Sequence, residues 1–386
     1  DIPNAPIMPV RLDAEPTEGE TFTAVGWGVT QSTMSPSKRQ QRSGIKVLKV
    51  GPVEGSVRKG EEPLPTNDFE VGESICSGDS GGPAISESTN AVIGVVSRGG
   101  NNNTAADPND PAQRYTDVLE WLYALTHDER YRAFGWRLYR EFSAMPRPFP
   151  NDDLAWPNLL ENKANFSGHA VHTAEHLRAL WWASETDEEL TPARERALRQ
   201  LRRYTLPSGA LLGDEAIHDE PTPDVGYEYC TLTETLFSLS SALQKSGERD
   251  YGDWIETIAF NAGQGARLPD GTALAYLSAD TRLAAVASRG DHYSPDQPGR
   301  RFKYSPTHED VACCCNPNAV RFMPHYVNGL WMKLVDQVGI AAVNYGPSVL
   351  NTSVAGVNVV IEEVTNYPFE NVMTFSITPQ HAIKFA

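Results

Sequence analysis

Apolar residues in this chain follow one period up to about Gly100 and another beyond Pro111, and a chain that changes period is not a single layered fold. Before the change come short β segments split by Gly, Pro and Ser, including Thr21 to Val29 and Ala91 to Ser97. The change itself falls in Gly-Gly-Asn-Asn-Asn-Thr-Ala-Ala-Asp-Pro-Asn-Asp-Pro, residues 99–111, a run of turn formers with no large apolar residue, which reads as a linker or exposed loop. Helical spacing follows: Val118, Leu122 and Leu125 form one expected face, and Phe134, Leu138 and Phe142 another. After Leu334 the period returns to β, through Ile340 to Tyr345 and then Val357, Val359 and Ile361.

The helical stretch carries a faint repeat. The turn Leu125-Thr126-His127-Asp128-Glu129-Arg130-Tyr131 is echoed around Ser184 to Glu189 and again at Lys245 to Tyr251, so that Thr126, Thr186 and Ser246 stand 60 residues apart. A recurring helix, polar turn and helix cannot bury its apolar stripe alone, and stacked αα-hairpins are the expected outcome.

Composition narrows the partners. The formal charge of -17 speaks against phosphate neutralisation along a nucleic acid, which needs clustered Lys and Arg. No run of about 18 apolar residues is present to span a membrane, and the first residues lack the pattern of a signal peptide. The five cysteines, Cys76, Cys230 and the consecutive Cys313, Cys314 and Cys315, are odd in number and clustered, a layout that suits metal binding better than a disulfide scaffold.

Three motifs in the first part point to one chemistry. Cys76-Ser77-Gly78-Asp79-Ser80-Gly81-Gly82-Pro83 is a loop whose glycines let the N–H groups of Gly78 and Ser80 converge on a developing oxyanion while a serine hydroxyl attacks. With Ala24-Val25-Gly26-Trp27-Gly28 before it and Gly94-Val95-Val96-Ser97-Arg98-Gly99 after it, this order resembles the trypsin-like serine proteases. The resemblance makes Ser80 the nucleophile, Gly78 an oxyanion donor, Asp79 the carboxylate that receives a processed N-terminus, and Ser74 the floor of the specificity pocket. An attacking serine needs a base, yet no histidine precedes His127. The expectation is the C-terminal part of a protease barrel, proteolytically inactive as it stands.

A second constellation is Gly226-Tyr227-Glu228-Tyr229-Cys230, followed by His308-Glu309-Asp310-Val311-Ala312-Cys313-Cys314-Cys315-Asn316-Pro317-Asn318. One glutamate and three thiolates supply the four ligands that tetrahedral zinc favours. Both segments resemble glycoside hydrolase family 127, the β-L-arabinofuranosidases, over about residues 114–386. By that resemblance Glu228, Cys230, Cys314 and Cys315 hold Zn2+, Cys314 doubles as the nucleophile, and Cys313 is an extra thiol. A coordinated thiol is deprotonated and ready to attack an anomeric carbon, which replaces the usual carboxylate of a retaining glycosidase but still leaves a carboxylic acid to be found. Gly213-Asp214-Glu215 resembles the family's acid/base segment, which selects Glu215, with Glu220 and Glu234 as rivals. His169, His172 and His176 lie on one helical face, and His172 and His176 are expected to line a sugar pocket with Tyr229. Trp181 and Trp182 are apt for stacking on a sugar, but aromatics at helical spacing are more often core.

The expected architecture is multi-domain: a partial all-β trypsin-like barrel at 1–105, an α/α toroid of helical hairpins at 106–338 and the start of a β-sandwich at 339–386. The expected activity is retaining hydrolysis of a terminal β-L-arabinofuranosyl-type bond, on a carbohydrate substrate and with no nucleic-acid or membrane partner. The alternatives are a serine endopeptidase, or a zinc-stabilised carbohydrate-binding protein without turnover. Location follows the parent: extracellular or periplasmic if the protease-like part came from an exported protein, cytoplasmic otherwise.

Overall fold

The computed structural model describes residues 8–11, 14–26, 39–51, 69–72, 79, 82–96, 111–144, 154–160, 166, 168–213, 217, 226–281, 286–287, 303–305, 315–335 and 338–383. The chain divides into two compact units, Asp1–Pro111 and Ala112–Ala386.

Unit 1 is one antiparallel sheet. Its strands β1 (Thr21–Gly26), β2 (Gln40–Val50), β3 (Phe69–Val71), β4 (Pro83–Ser86) and β5 (Val92–Val95) run in the order β3-β2-β1-β4-β5. Both expected segments contain strands, β1 and β5; residues 27–29 and Ser97 lie outside the described residues. Phe22, Ile45, Val47 and Ala84 are buried on one face, and Phe69 meets Phe22 edge-on at 5.8 Å. Gly94 has to be glycine, because a Cβ there would lie 2.8 Å from the tip of the Phe69 ring. Arg11 grips Glu20 with two hydrogen bonds of 2.8 and 2.9 Å, and Ser86 donates a third to the same carboxylate, tying the segment before β1 to β4.

Unit 2 opens with helices α1 (Pro111–Thr126), α2 (Glu129–Ala144), α3 (Trp156–Leu160), α4 (Ala170–Thr186) and α5 (Thr191–Arg203). After the short β6 (Tyr227–Glu228) come α6 (Tyr229–Ser246), α7 (Arg249–Thr257), a π-type turn at Ile258–Ala262 and α8 (Gly263–Gly265). Small strands β7 (Leu274–Ala275), β8 (Leu277–Ser278), β9 (Val286–Ala287) and β10 (Lys303–Ser305) precede α9 (Cys315–Asn328). The unit ends in β11 (Trp331–Lys333), β12 (Ile340–Ala342), β13 (Ser348–Val354), β14 (Val357–Thr365) and β15 (Met373–Pro379). β11 and β12 pair with each other across the expected seam at residue 338, and β13, β14 and β15 form an antiparallel sheet in that order.

The 60-residue echo corresponds to three helical hairpins, α1/α2, α4/α5 and α6/α7. The first and third turns are chemically alike. The hydroxyls of Thr126 and Ser246 each donate to the carbonyl four residues back, and each accepts the N–H two residues ahead. His127 and Gly247 then take left-handed φ values of 54° and 69°, which reverse the chain. Asp187 caps the second turn instead, accepting the N–H of Glu189 at 3.1 Å.

One expected face is rotated. Leu119, not Leu125, is the buried leucine of α1; it packs with Leu138 and Trp182, with Tyr123 and Phe134 alongside, while Leu125 is 55% exposed. Both stripes of α1 are apolar, and the i, i+4 pair Leu119 and Tyr123 wins because the broad Trp182 ring lies opposite. Phe142 and Val118 have side chains outside the described set.

The largely buried α6 is the hub of the unit, packed against α4, α7 and α9. Trp181 belongs to this core, edge-on to Tyr251 at 6.0 Å and beneath the Arg194 guanidinium, and Trp182 is equally buried. Both tryptophans are therefore packing residues.

Candidate metal centre

Glu228 stands where a strand becomes a helix. β6 pairs with β8, setting Tyr227 opposite Ser278 and Glu228 opposite Leu277, and the N–H of Tyr229 donates to the carbonyl of Tyr276 at 3.1 Å. Glu228 keeps the extended backbone of the strand (φ -88°, ψ 143°) and is the N-cap of α6, so Cys230 lies in that helix's first turn. This is the physical sense of Glu-x-Cys: both ligand atoms leave the same end of one helix. Cys315 is the first residue of α9, which packs on α6.

The three side chains converge. Cys230 and Cys315 are thiols with Sγ atoms 3.3 Å apart, and Cys315 Sγ lies 3.8 Å from Glu228 Oε1. All three donor atoms fall within 4.8 Å of one another, and Glu228, Cys230 and Cys315 are 1%, 2% and 0% exposed. Two sulfurs on tetrahedral zinc sit about 3.7 Å apart, given Zn–S near 2.3 Å, so shifts of a few tenths of an ångström suffice to close this set around an ion. The donor chemistry also fits, because a buried carboxylate between two soft sulfurs is far more favourable beside a cation than in a dry core. The N-termini of α6 and α9 both face the centre, and each contributes roughly half a positive charge that favours anionic sulfur.

Histidine lies beside the carboxylate. His169, the N-cap of α4, has its Nε2 3.5 Å from Glu228 Oε2 and its ring 4.7 Å from that of His172. His172 is half-buried next to it, and His176, one turn on, is 4% exposed. His169, the member of the stripe not singled out from the sequence, thus lies beside Glu228. Tyr229 is buried, its ring 5.7 Å from that of Phe322, and its hydroxyl receives a 2.7 Å hydrogen bond from Arg267 Nε.

Of the two acid/base rivals, Glu234 is within view and unsuited. It is 2% exposed and flanked by Arg178 (2.9 Å) and Arg321. Burial pushes its carboxyl up, but the two guanidiniums outweigh burial and hold it below the usual carboxylate range, leaving no proton to donate. Glu215 and Glu220 lie outside the described residues, as do Cys313 and Cys314. The residues bracketing the Glu215 segment are both tied to the centre's backbone: the N–H of Gly213 donates to Gly226 O at 2.9 Å, and that of Ile217 to Gly168 O at 2.7 Å. Ser80, Gly78, Cys76 and Ser74 are likewise outside the described set. Beside them the N–H of Gly82 donates to Asp79 O at 2.8 Å, and Gly26 leaves the room that the Asp79 side chain occupies.

Fold and site together define a two-part chain: an antiparallel sheet unit, then a unit of helical hairpins enclosing a buried carboxylate-dithiol centre. Residues 2–122 match the model of the trypsin family. The match runs into α1, whose packing places it in unit 2. The snake venom serine protease KN9 of Trimeresurus stejnegeri is 31% identical over 130 residues, which are 31% of this chain and 48% of the venom protein.

Solved structures match over a share of the chain about the size of unit 2. The GH127 β-L-arabinofuranosidase Ara127N-Se of Geobacillus stearothermophilus T6 aligns with TM-score 0.54 and 18% identity, covering 69% of this chain and 44% of that one. A second GH127 β-arabinofuranosidase aligns with TM-score 0.53 and 17% identity over 68% and 40%, and a protein described as a glycoside hydrolase with TM-score 0.57 and 18% identity over 71% and 47%. The chain is thus a trypsin-like segment followed by a region with the fold of these glycoside hydrolases, and it spans less than half the length of each relative. Among the described residues, no helix is long and apolar enough to cross a membrane.

Proposed function

We propose that unit 2 belongs to a retaining glycoside hydrolase acting on terminal β-L-arabinofuranosyl-type linkages, with Cys314 as nucleophile and Glu215 as acid/base. The observation that carries the reading is the convergence of Glu228, Cys230 and Cys315 within 4.8 Å. These residues come from two segments 85 or more positions apart and bring anionic, soft donors to one buried point. Zn2+ held by Glu228, Cys230, Cys314 and Cys315 would keep the thiolates ionised at neutral pH.

The chain's own residues do the rest. Cys314 sulfur attacks the anomeric carbon as the glycosidic C–O bond breaks, giving a thioglycosyl intermediate, and Glu215 gives its proton to the departing oxygen. Water then attacks the same carbon, Glu215 takes its proton, and the C–S bond breaks to return the thiolate. His169 and His172 offer ring nitrogens to sugar hydroxyls beside Glu228. His176 and Tyr229 are both buried.

Release of nitrophenol from a β-L-arabinofuranoside tests the reading. The expected result is turnover that Cys314→Ser and Glu215→Gln each reduce at least 1,000-fold, with a glycosyl adduct on Cys314 trapped in the Glu215→Gln protein. Sugar binding without turnover would favour the carbohydrate-binding alternative.

The trypsin-family match favours a second reading for unit 1, a serine endopeptidase. Residues 1–111 contain no histidine to act as base, so we assign this unit no peptidase activity of its own. Fluorophosphonate labelling at Ser80 would overturn that assignment.

A further inference from the structure

Among the described residues one arginine is buried in the helices around the centre. Arg178 interrupts the run Leu177-Arg178-Ala179-Leu180-Trp181-Trp182 of α4, and it is 4% exposed. Its Nη1 lies 2.9 Å from Glu234 Oε2 and 2.9 Å from Ser238 Oγ, both on α6, and its guanidinium sits 4.4 Å from the Phe237 ring. Ser238 in turn donates to Ala174 O of α4 at 2.6 Å. On the other side of Glu234, Arg321 of α9 reaches Oε1 with Nη2, and its Nε donates to Asn318 Oδ1 at 2.8 Å. Glu234 is therefore a carboxylate that joins α4, α6 and α9.

Its place in the sequence matters. Glu234 is four residues after Cys230, one turn up the same face of α6, and Arg321 is six residues after Cys315, about 9 Å along α9. Two weaker ties reach the same stretch of α9: Thr233 Oγ1 to Asn318 O at 3.3 Å and Arg267 Nη2 to Ala319 O at 2.7 Å. Fixing register is the best-attested role of a buried charged group between helices, since such a group adds little stability over a hydrophobic substitute. A slip of α9 by one turn would carry Cys315 about 5.4 Å from Cys230 and abolish the centre.

From this arrangement we propose that Glu234, held between Arg178 and Arg321, is a positioning residue that sets the register of α9 and so places Cys315 against Cys230 and Glu228. The inference rests on the zinc-centre reading given above. It assigns Glu234 no contact with substrate or with the reacting atoms.

The test uses the full chain with Arg321→Ala, whose side chain is 40% exposed and so removable with little loss of core, and with Glu234→Gln. Two readouts are taken. Zinc affinity by chelator competition should fall at least tenfold in both variants, and Arg321→Lys should recover part of it. In metal-free protein, diamide should join Cys230 and Cys315 in a disulfide, the two thiols losing their protons and two electrons to diamide, which becomes the hydrazine. That reaction should slow at least fivefold in both variants, as mapped by mass spectrometry.

Unchanged zinc affinity and unchanged cross-linking in Arg321→Ala would overturn the proposal. If the wild-type chain bound no zinc, the metal reading would fall, and the cross-linking rate would still decide whether the triad sets the register. Should Glu234→Gln not fold, Arg321→Ala and Asn318→Ala carry the comparison, with circular dichroism showing that their helices remain.

Discussion

Replacing Gly263 by alanine should strain the junction between α8 and α9 enough to measure. A Cβ at this position would lie 2.5 Å from Phe322 Cε1 and 3.2 Å from Ile258 O. Carbon atoms in contact sit about 3.5–4.0 Å apart, so the ring must retreat by roughly 1 Å. Phe322 is fully buried, with Tyr229 against it, and has nowhere to go without moving α9. Overpacking of this kind costs about 1–3 kcal/mol, which for a unit of this size lowers Tm by roughly 2–4 °C per kcal/mol. Seven of the eight tryptophans follow residue 111, so tryptophan fluorescence follows the melting of unit 2. Adding Phe322→Leu should make room for the new methyl, so the double variant should be more stable than the sum of the two single losses predicts. A Gly263→Ala protein that melts with the wild type, or strict additivity in the double variant, would refute the packing argument.

Three further outcomes are expected. Glu20 is held at about 2, chiefly by the hydrogen bond from Arg11 and against the opposing pull of burial, so its contribution to unit 1 is present above about pH 4.5 and lost as pH falls towards 2. Glu20→Gln should therefore destabilise unit 1 by about 1.5–3 kcal/mol at pH 7 and by little near pH 2, read by hydrogen exchange of β1 and β4. Gly209 has φ +85° and a Cβ there would lie 2.9 Å from Ile258 N, so Gly209→Ala should cost at least about 1–2 kcal/mol, measured by denaturant unfolding. On the terminal sheet Phe375 and Ile377 of β15 are 40% and 47% exposed, though they share the face on which Ile361 is buried; Ile377→Thr should reduce binding of an apolar dye without lowering helix content.

Much of this was legible in the residues. The 60-residue echo located three helical hairpins because a turn closed by a side chain, here Thr126, Asp187 and Ser246, leaves a local, sequence-visible mark. Glu-x-Cys was legible for the same reason: strand and helix meet between the two residues. What is local can be read, and what is long-range cannot. Nothing in the spacing of Cys230 and Cys315 says that α6 and α9 lie side by side; only the family resemblance supplied that pairing. The rotation of α1 onto Leu119 depends on where Trp182 lies, 63 positions away. Arg178 was a missed signal, since an arginine within the apolar run Leu177 to Trp182 requires a buried partner, and asking for it leads to Glu234. His169 was overlooked within a stripe already noticed, because its value comes from standing at the helix start beside Glu228 rather than from its period.

The central claim is that Glu228, Cys230 and Cys315, together with Cys314, hold one metal ion. X-ray absorption at the zinc edge on the purified full chain addresses it directly. The account predicts one zinc per chain in a shell of three sulfurs near 2.3 Å and one oxygen, reduced to two sulfurs in Cys230→Ser. A shell of nitrogen and oxygen alone, or a sulfur shell untouched by that substitution, would contradict it.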